Sequence, residues 1–116
     1  MNKFLMATAA LALGATTAVA DVKIGMITTL SGGGAGLGID VRDGFMLAVA
    51  QSGRSDIDVV IEDDQRKPDI AVQLSDKMIQ SERVDIMTGI IWSNLAMAVV
   101  PAVTNQNVFY LFTNPL

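Results

Sequence analysis

Apolar residues after position 20 alternate between short continuous runs and stripes at helical spacing. Four of the runs are rich in β-branched or aromatic residues and are bounded by glycine, charged or other turn-forming residues, a pattern that predicts strands. The predicted strands cover residues 22–28, 57–61, 84–91 and 108–112. Each run is nearly continuous, as expected for parallel strands that are buried on both faces.

Between these strands lie three stretches whose apolar residues recur three and four positions apart, which is typical of amphipathic helices. The first helix is predicted at 39–52, after a loop at 30–38 that holds five glycines. The second begins at Pro68, since proline is tolerated in a first helical turn. The third begins near Ser93 or Asn94, either of which is a good N-cap, and runs through 104 with Pro101 inside it. The predicted inner faces are Val41, Phe45 and Ala48 in the first helix and Ile70, Leu74 and Met78 in the second.

Strands and helices therefore alternate in the order βαβαβαβ. This order predicts an α/β fold with an open parallel sheet and helices on both of its faces. The sequence stops four residues after the last predicted strand. We therefore expect the chain to be the beginning of a longer protein.

The first twenty residues do not fit this pattern and predict a secretory signal peptide. They carry one charge, Lys3, then an apolar run from 4 to 15, and they end in the small-residue motif Ala18-Val19-Ala20. The run is too short to cross a hydrocarbon layer of ~30 Å. We expect export to the periplasm and cleavage after Ala20, which leaves residues 21–116 as the folded part.

Composition narrows the possible functions of that part. The chain has 8 basic and 12 acidic residues, and loss of Lys3 with the signal makes the remainder more acidic still. Nucleic acids and anionic membranes bind clusters of Lys and Arg, so neither is expected as a partner. With no Cys and no His, the segment has no thiol nucleophile, disulfide or Ser-His-Asp triad and lacks the usual zinc ligands.

Ligands of open α/β sheets bind at the carboxyl ends of the strands, and four segments qualify here: 31–38, 62–64, 92–94 and 113–114. The glycine-rich loop does not predict a dinucleotide site, because Leu37 or Ile39 would occupy the place of the third glycine. The acids Glu62, Asp63 and Asp64 point alternately to opposite sides of a strand end and rarely converge on a metal ion. The sequence predicts a solvated acidic loop there, and no metal or cofactor is expected.

The segment 92–94 is a better candidate for binding. Ser93 and Asn94 stand where the free N–H groups and the positive end of the third helix would face the strand ends, a favourable place for a carboxylate. Two simpler interpretations stay open: Ser93 could be an ordinary N-cap, and Trp92 could be packed core.

At these residues the chain resembles the N-terminal part of a periplasmic solute-binding protein of the branched-chain amino acid (Leu/Ile/Val-binding) type, the receptor of an ABC importer. The likeness covers all of 21–116. It is carried by an ordered set of motifs: Leu30-Ser31-Gly32, Gly38, Asp43-Gly44, Glu62-Asp63-Asp64, Pro68, Val84-Asp85, Gly89 and Ser93.

The resemblance implies two α/β lobes that close on a small solute, of which this chain would hold the first part of the first lobe. It implies that Ser93, next to Asn94, holds the amino-acid carboxylate and that Thr113 and Asn114 add polar contacts. The family often has an aromatic residue where this chain has Leu37, so Trp92 could provide the apolar wall instead. The candidate ligand-binding residues are Ser31, Leu37, Trp92, Ser93, Asn94, Thr113 and Asn114.

The expected function is therefore non-catalytic: capture of a small carboxylate-bearing solute, such as a branched-chain amino acid, and its delivery to a membrane permease. Two alternatives stay open. A sensor ectodomain of the same fold would need a membrane span downstream, and a secreted enzyme would need to use the acids at 62–64. An enzyme would also need a general base near a positioned nucleophile, and residues 21–116 suggest no such pair.

Overall fold

The computed structural model describes residues 21–113, so the signal-peptide prediction and Asn114 lie outside the described residues. The predicted alternation of strands and helices is confirmed. Among the described residues, no helix is both long and apolar enough to cross a membrane. The elements are β1 (Val22–Thr28), α1 (Ala35–Gln51), β2 (Ile57–Asp63), α2 (Pro68–Gln80), β3 (Ile86–Thr88), α3 (Ser93–Asn105) and β4 (Phe109–Leu111).

The four strands form one parallel sheet in the order β2-β1-β3-β4. The chain moves from β1 to one side and then crosses back to the other, so β1 and β3 flank the point where the strand order reverses. Because parallel crossovers are right-handed, this reversal places α1 on one face of the sheet and α2 and α3 on the other. The α/β architecture is therefore confirmed. In open sheets of this kind, a ligand-binding crevice is expected at the carboxyl ends of the strands where the order reverses, here β1 and β3.

The core lies between the central strands and the pair α2 and α3. Ile27 of β1 and Met87 of β3 are fully buried in this layer, and Met26, which points to the opposite face of the sheet, is fully buried as well. The predicted inner stripe of α2 is confirmed at Met78, which is fully buried, whereas Ile70 and Leu74 are only partly covered. These contacts fix the central strands and hold the loops at their carboxyl ends.

The predicted start of α1 was wrong, because the helix begins at Ala35 inside the glycine-rich segment. Gly34, with a φ of 92°, precedes the first turn in the left-handed region, where glycine carries no steric penalty. Gly38 is buried so close to β1 that a Cβ there would lie 1.8 Å from the carbonyl oxygen of Thr29. The predicted inner face is also corrected: Ala48 is exposed, and Val49 is the partly buried residue of that turn.

The last two strands are shorter than predicted. Gly89, with a φ of 106°, takes the chain out of β3, and a Cβ there would lie 2.7 Å from the carbonyl oxygen of Ile27. Since β4 pairs only with the three residues of β3, its ladder cannot extend further in the described residues. The N-cap prediction for α3 was wrong as well: Trp92 occupies that position, its side chain makes no capping hydrogen bond to the helix, and Ser93 is already helical.

Candidate functional site

Three loops meet at the carboxyl ends of β1, β2 and β3. The indole Nε1–H of Trp92, at the end of the β3–α3 loop, donates a hydrogen bond to Thr29 Oγ1 at 2.8 Å. Thr29 is the first residue after β1, so this bond crosses the point where the strand order reverses. The loops that sequence reasoning marked as separate candidates are therefore joined in one place.

Asp64 connects the third loop to this place and is fully buried. Its Oδ1 accepts hydrogen bonds from Thr29 Oγ1 at 2.6 Å and from the backbone N–H of Arg66 at 2.8 Å. Its Oδ2 is buried with no hydrogen-bond partner in the described part of the chain. The prediction of a solvated acidic loop was wrong here, because Asp64 is buried directly after β2, where its N–H donates to the carbonyl of Thr28.

Asp63 organises the loop after β1 in a similar way. Its carboxylate accepts hydrogen bonds from the Leu30 N–H at 2.8 Å, from Ser31 Oγ at 2.5 Å and from the Gln65 N–H at 2.9 Å. Burial opposes ionisation, but these bonds outweigh it and hold the pKa of Asp63 below its ordinary value. The hydroxyl of Ser31, one of the predicted ligand-binding groups, is therefore already engaged within the lobe.

The acids at 62–64 do not act together. Glu62 forms an ion pair with Lys77 of α2, whereas Asp63 and Asp64 bind the loop after β1. No group of three or more His, Cys, Asp or Glu residues that could hold a metal ion occurs in 21–113. Glu62 therefore joins β2 to α2, whereas the carboxylates of Asp63 and Asp64 hold the loop after β1 in place.

The side chain of Trp92 is held by all three loops. Its ring lies against Gly34, where a Cβ would be 2.4 Å from Cζ2. The guanidinium carbon of Arg66 lies 3.9 Å from the ring centroid, within the range of a cation–π interaction. Trp92 is thus a half-buried residue that packs against the hydrophobic core and joins the three loops.

Ser93 and Asn94 begin α3 beside this tryptophan, and both are exposed. Neither side chain forms a hydrogen bond among the residues that the structure describes. Because the first N–H groups of a helix lack intrahelical acceptors, the start of α3 presents free donors next to an available hydroxyl. This arrangement can bind an anionic oxygen.

The other predicted ligand-binding residues are spread around this point. Leu37 is 56% exposed in the first turn of α1, and Thr113 Oγ1 donates to the carbonyl of Ile90 at 3.3 Å. Asn114 lies outside the described residues. Tyr110 of β4 supports the same loop, because its hydroxyl oxygen accepts a hydrogen bond from the Ile90 N–H at 3.2 Å.

Sequence reasoning missed Thr29, Arg66 and Tyr110. No local pattern marks them: a threonine after a strand, an arginine in an acidic loop and a tyrosine in an apolar strand are each common. Only the strand order brings Thr29 and Arg66 to Trp92 and Tyr110 to the loop after β3. The acidic run at 62–64 did signal a special loop, but its burial was not foreseen.

Comparison with known proteins places this geometry in context. A family model described as periplasmic binding protein matches residues 21–116. The chain resembles an ABC transporter substrate-binding protein from Sphaerobacter thermophilus, with a TM-score of 0.78 and 30% identity over 81% of this chain and 26% of that one.

Two structures from Rhodopseudomonas palustris are also similar. One is an ABC transporter solute binding protein in complex with benzoate, with a TM-score of 0.75 and 33% identity over 81% of this chain and 27% of that one. The other is an ABC-type branched-chain amino acid transporter, with a TM-score of 0.75 and 25% identity over 83% and 28%. No curated protein matches the chain. The chain thus spans about a quarter of these structures, which are transport substrate-binding proteins and not enzymes.

Proposed function

This chain belongs to the periplasmic binding protein family, and we propose that it forms the N-terminal part of the first lobe of an ABC-importer solute receptor. The complete protein would capture a small carboxylate-bearing solute between two lobes and deliver it to a membrane permease. Export through residues 1–20, with cleavage after Ala20, would bring it to the periplasm, where family members act.

One observation carries the proposal for the binding site. Ser93 and Asn94, the first two residues of α3, are exposed at the strand ends, and the Ser93 hydroxyl makes no hydrogen bond within residues 21–113. A carboxylate placed there would receive several hydrogen bonds and the favourable field of the helix amino terminus. Asn94, Thr113 and Asn114 would add polar contacts around the same group.

The rest of the solute would lie against Leu37 and Trp92, beside the loop that Ser31 ties to Asp63. A branched-chain amino acid is the first candidate. The similar structure that holds benzoate makes an aromatic carboxylate the second, and Leu37 favours neither. Both candidates share the carboxylate, so the role of Ser93 is the same for each.

A ligand-binding sensor ectodomain would use the same site, and a membrane span encoded after residue 116 would favour it over the importer receptor. An enzyme that uses the acids at 62–64 is not supported, because Asp63 and Asp64 are committed to loop hydrogen bonds and Glu62 to Lys77.

The test is Ser93→Ala in the full-length protein, with titration calorimetry against L-leucine, L-isoleucine and benzoate. A hydrogen bond to a charged group contributes about 1.5–3 kcal/mol, so affinity for the solute that binds should fall about tenfold to a hundredfold. Because Ser93 makes no capping hydrogen bond, the melting temperature should stay unchanged.

Ser81→Ala is the matched control, since Ser81 is an exposed serine at the other end of a helix, where it follows α2. It should change neither affinity nor melting temperature. Wild-type affinity in Ser93→Ala would remove the carboxylate-binding role of this serine.

A further inference from the structure

We propose that Arg66 is a positioning residue, which holds the first turn of α3 in place through the ring of Trp92. The effect on ligand binding rests on the proposed function, whereas the effect on α3 does not. We call the stacked pair of side chains the Arg66–Trp92 clamp.

The clamp closes a circuit of four residues from three loops. The indole of Trp92 donates to Thr29 Oγ1, and that hydroxyl donates to the buried Asp64. Asp64 accepts the backbone N–H of Arg66, and the guanidinium of Arg66 returns to the face of the Trp92 ring. Each member contacts two others, so displacing one member disturbs the whole circuit.

The backbone before α2 is shaped to supply this arginine. Gln65 and Arg66 both have positive φ, at 51° and 59°, a conformation that non-glycine residues rarely adopt. Their N–H groups are bound by the carboxylates of Asp63 and Asp64 respectively. Two adjacent strained residues persist only where the surroundings fix them, and the outcome here is the placement of Arg66 over the ring.

Trp92 directly precedes α3, so the Arg66–Trp92 clamp acts on the start of that helix. Its carbonyl oxygen accepts the N–H of Ala96 at 2.9 Å, the first helical hydrogen bond of α3. Ser93, the proposed carboxylate ligand, is the next residue. A ring fixed between Arg66, Thr29 and Gly34 therefore fixes the direction of the free N–H groups that begin the helix.

The side chain of Arg66 does little else within the lobe. Arg66 is exposed, and among the described residues its guanidinium donates no hydrogen bond and forms no ion pair. Removing it should leave the core intact and loosen only the start of α3. A direct contact between Arg66 and the solute is the competing explanation, and the experiment separates the two.

The experiment measures amide hydrogen exchange of residues 96–99 in the full-length protein without ligand, for wild type and Arg66→Ala. Loss of a cation–π contact should raise exchange about three- to tenfold there, with little change in the global unfolding midpoint. Arg66→Lys keeps the cation and should restore part of the protection. Arg42→Ala is the control, since within residues 21–113 the ion pair of Arg42 is with its neighbour Asp43 on α1.

A double-mutant cycle tests whether Arg66 acts on α3 through the ring of Trp92. In a Trp92→Leu background, Arg66→Ala should cause no further rise in exchange. Binding of L-leucine and benzoate, measured by stopped flow, should weaken about three- to tenfold in Arg66→Ala through faster dissociation.

Unchanged exchange in Arg66→Ala would overturn the clamp, whatever happens to binding. Lower affinity with unchanged exchange would mean that Arg66 contacts the solute directly, and it would also overturn the positioning role. Raised exchange in Arg66→Ala would support the clamp even if the wild type binds neither L-leucine nor benzoate. That lack of binding would count against the proposed ligands and not against the clamp.

Discussion

Replacing Gly38 by alanine should destabilise the lobe, although alanine is the better helix former. Gly38 lies inside α1 where the helix crosses the end of β1. A Cβ at this position would lie 1.8 Å from the carbonyl oxygen of Thr29 and 2.6 Å from its carbonyl carbon. Both atoms belong to the backbone, so no side-chain rotation can relieve the contact.

The magnitude follows from the distance. An ordinary contact of this kind is about 3.5 Å, so α1 would have to move away from β1 by about 1.5 Å. Overpacking that shifts backbone typically costs about 1–3 kcal/mol, while alanine returns up to about 1 kcal/mol of helix propensity. We expect a net loss of about 1 kcal/mol, and at most about 2 kcal/mol, in the free energy of unfolding.

Gly44→Ala in the same helix is the matched control, because a Cβ there meets nothing within 4 Å. It should stabilise the protein by about 0.5–1 kcal/mol. Urea unfolding of the full-length variants, followed by circular dichroism, measures both values. A Gly38→Ala protein as stable as Gly44→Ala would refute the close approach of α1 and β1.

Two further predictions concern the acidic loop and the amino terminus. Hydrogen bonds lower the pKa of Asp63 in the folded state despite burial. The ionised form of Asp63 therefore adds to the free energy of unfolding above its unfolded pKa of about 3.9. This contribution is lost as pH falls through the folded pKa. Asp63→Asn should therefore be less stable than wild type at pH 7 and approach it in acid; an equal difference in urea unfolding at pH 7 and pH 3 would contradict this. Mass spectrometry of the exported protein should give Asp21 as the first residue, and soluble exported material that keeps Met1 would rule out cleavage after Ala20.

The hydrogen bonds of Asp63 make Asp63→Asn unsuitable as a control for ligand binding at Ser93. The sequence alone predicts that Asp63→Asn would leave ligand affinity unaltered, since it treats residues 62–64 as solvated. In the structure the Asp63 carboxylate binds Leu30, Ser31 and Gln65. Changing it disturbs the loop after β1, so Ser81 is the cleaner control for experiments at Ser93.

Elements with local signals could be predicted from the amino-acid sequence. The run at 22–28 gave β1 with its observed bounds, and Pro68 marked the start of α2. Strand and helix periods repeat within a few residues, and proline acts on its own turn, so these signals do not depend on distant parts of the chain. The order of the elements then implied the parallel sheet and the edge that carries the site.

The start of α1, the burial of Asp64 and the contact between Arg66 and Trp92 depend instead on how the elements pack. Glycines in the run at 30–38 predict a loop locally, yet α1 can lie against Thr29 only where Gly38 has no side chain. Arg66 and Trp92 are far apart in sequence and meet because β1 lies between β2 and β3 in the sheet. Close approaches and contacts between loops depend on which strands are neighbours, and no periodicity within a single segment encodes that choice.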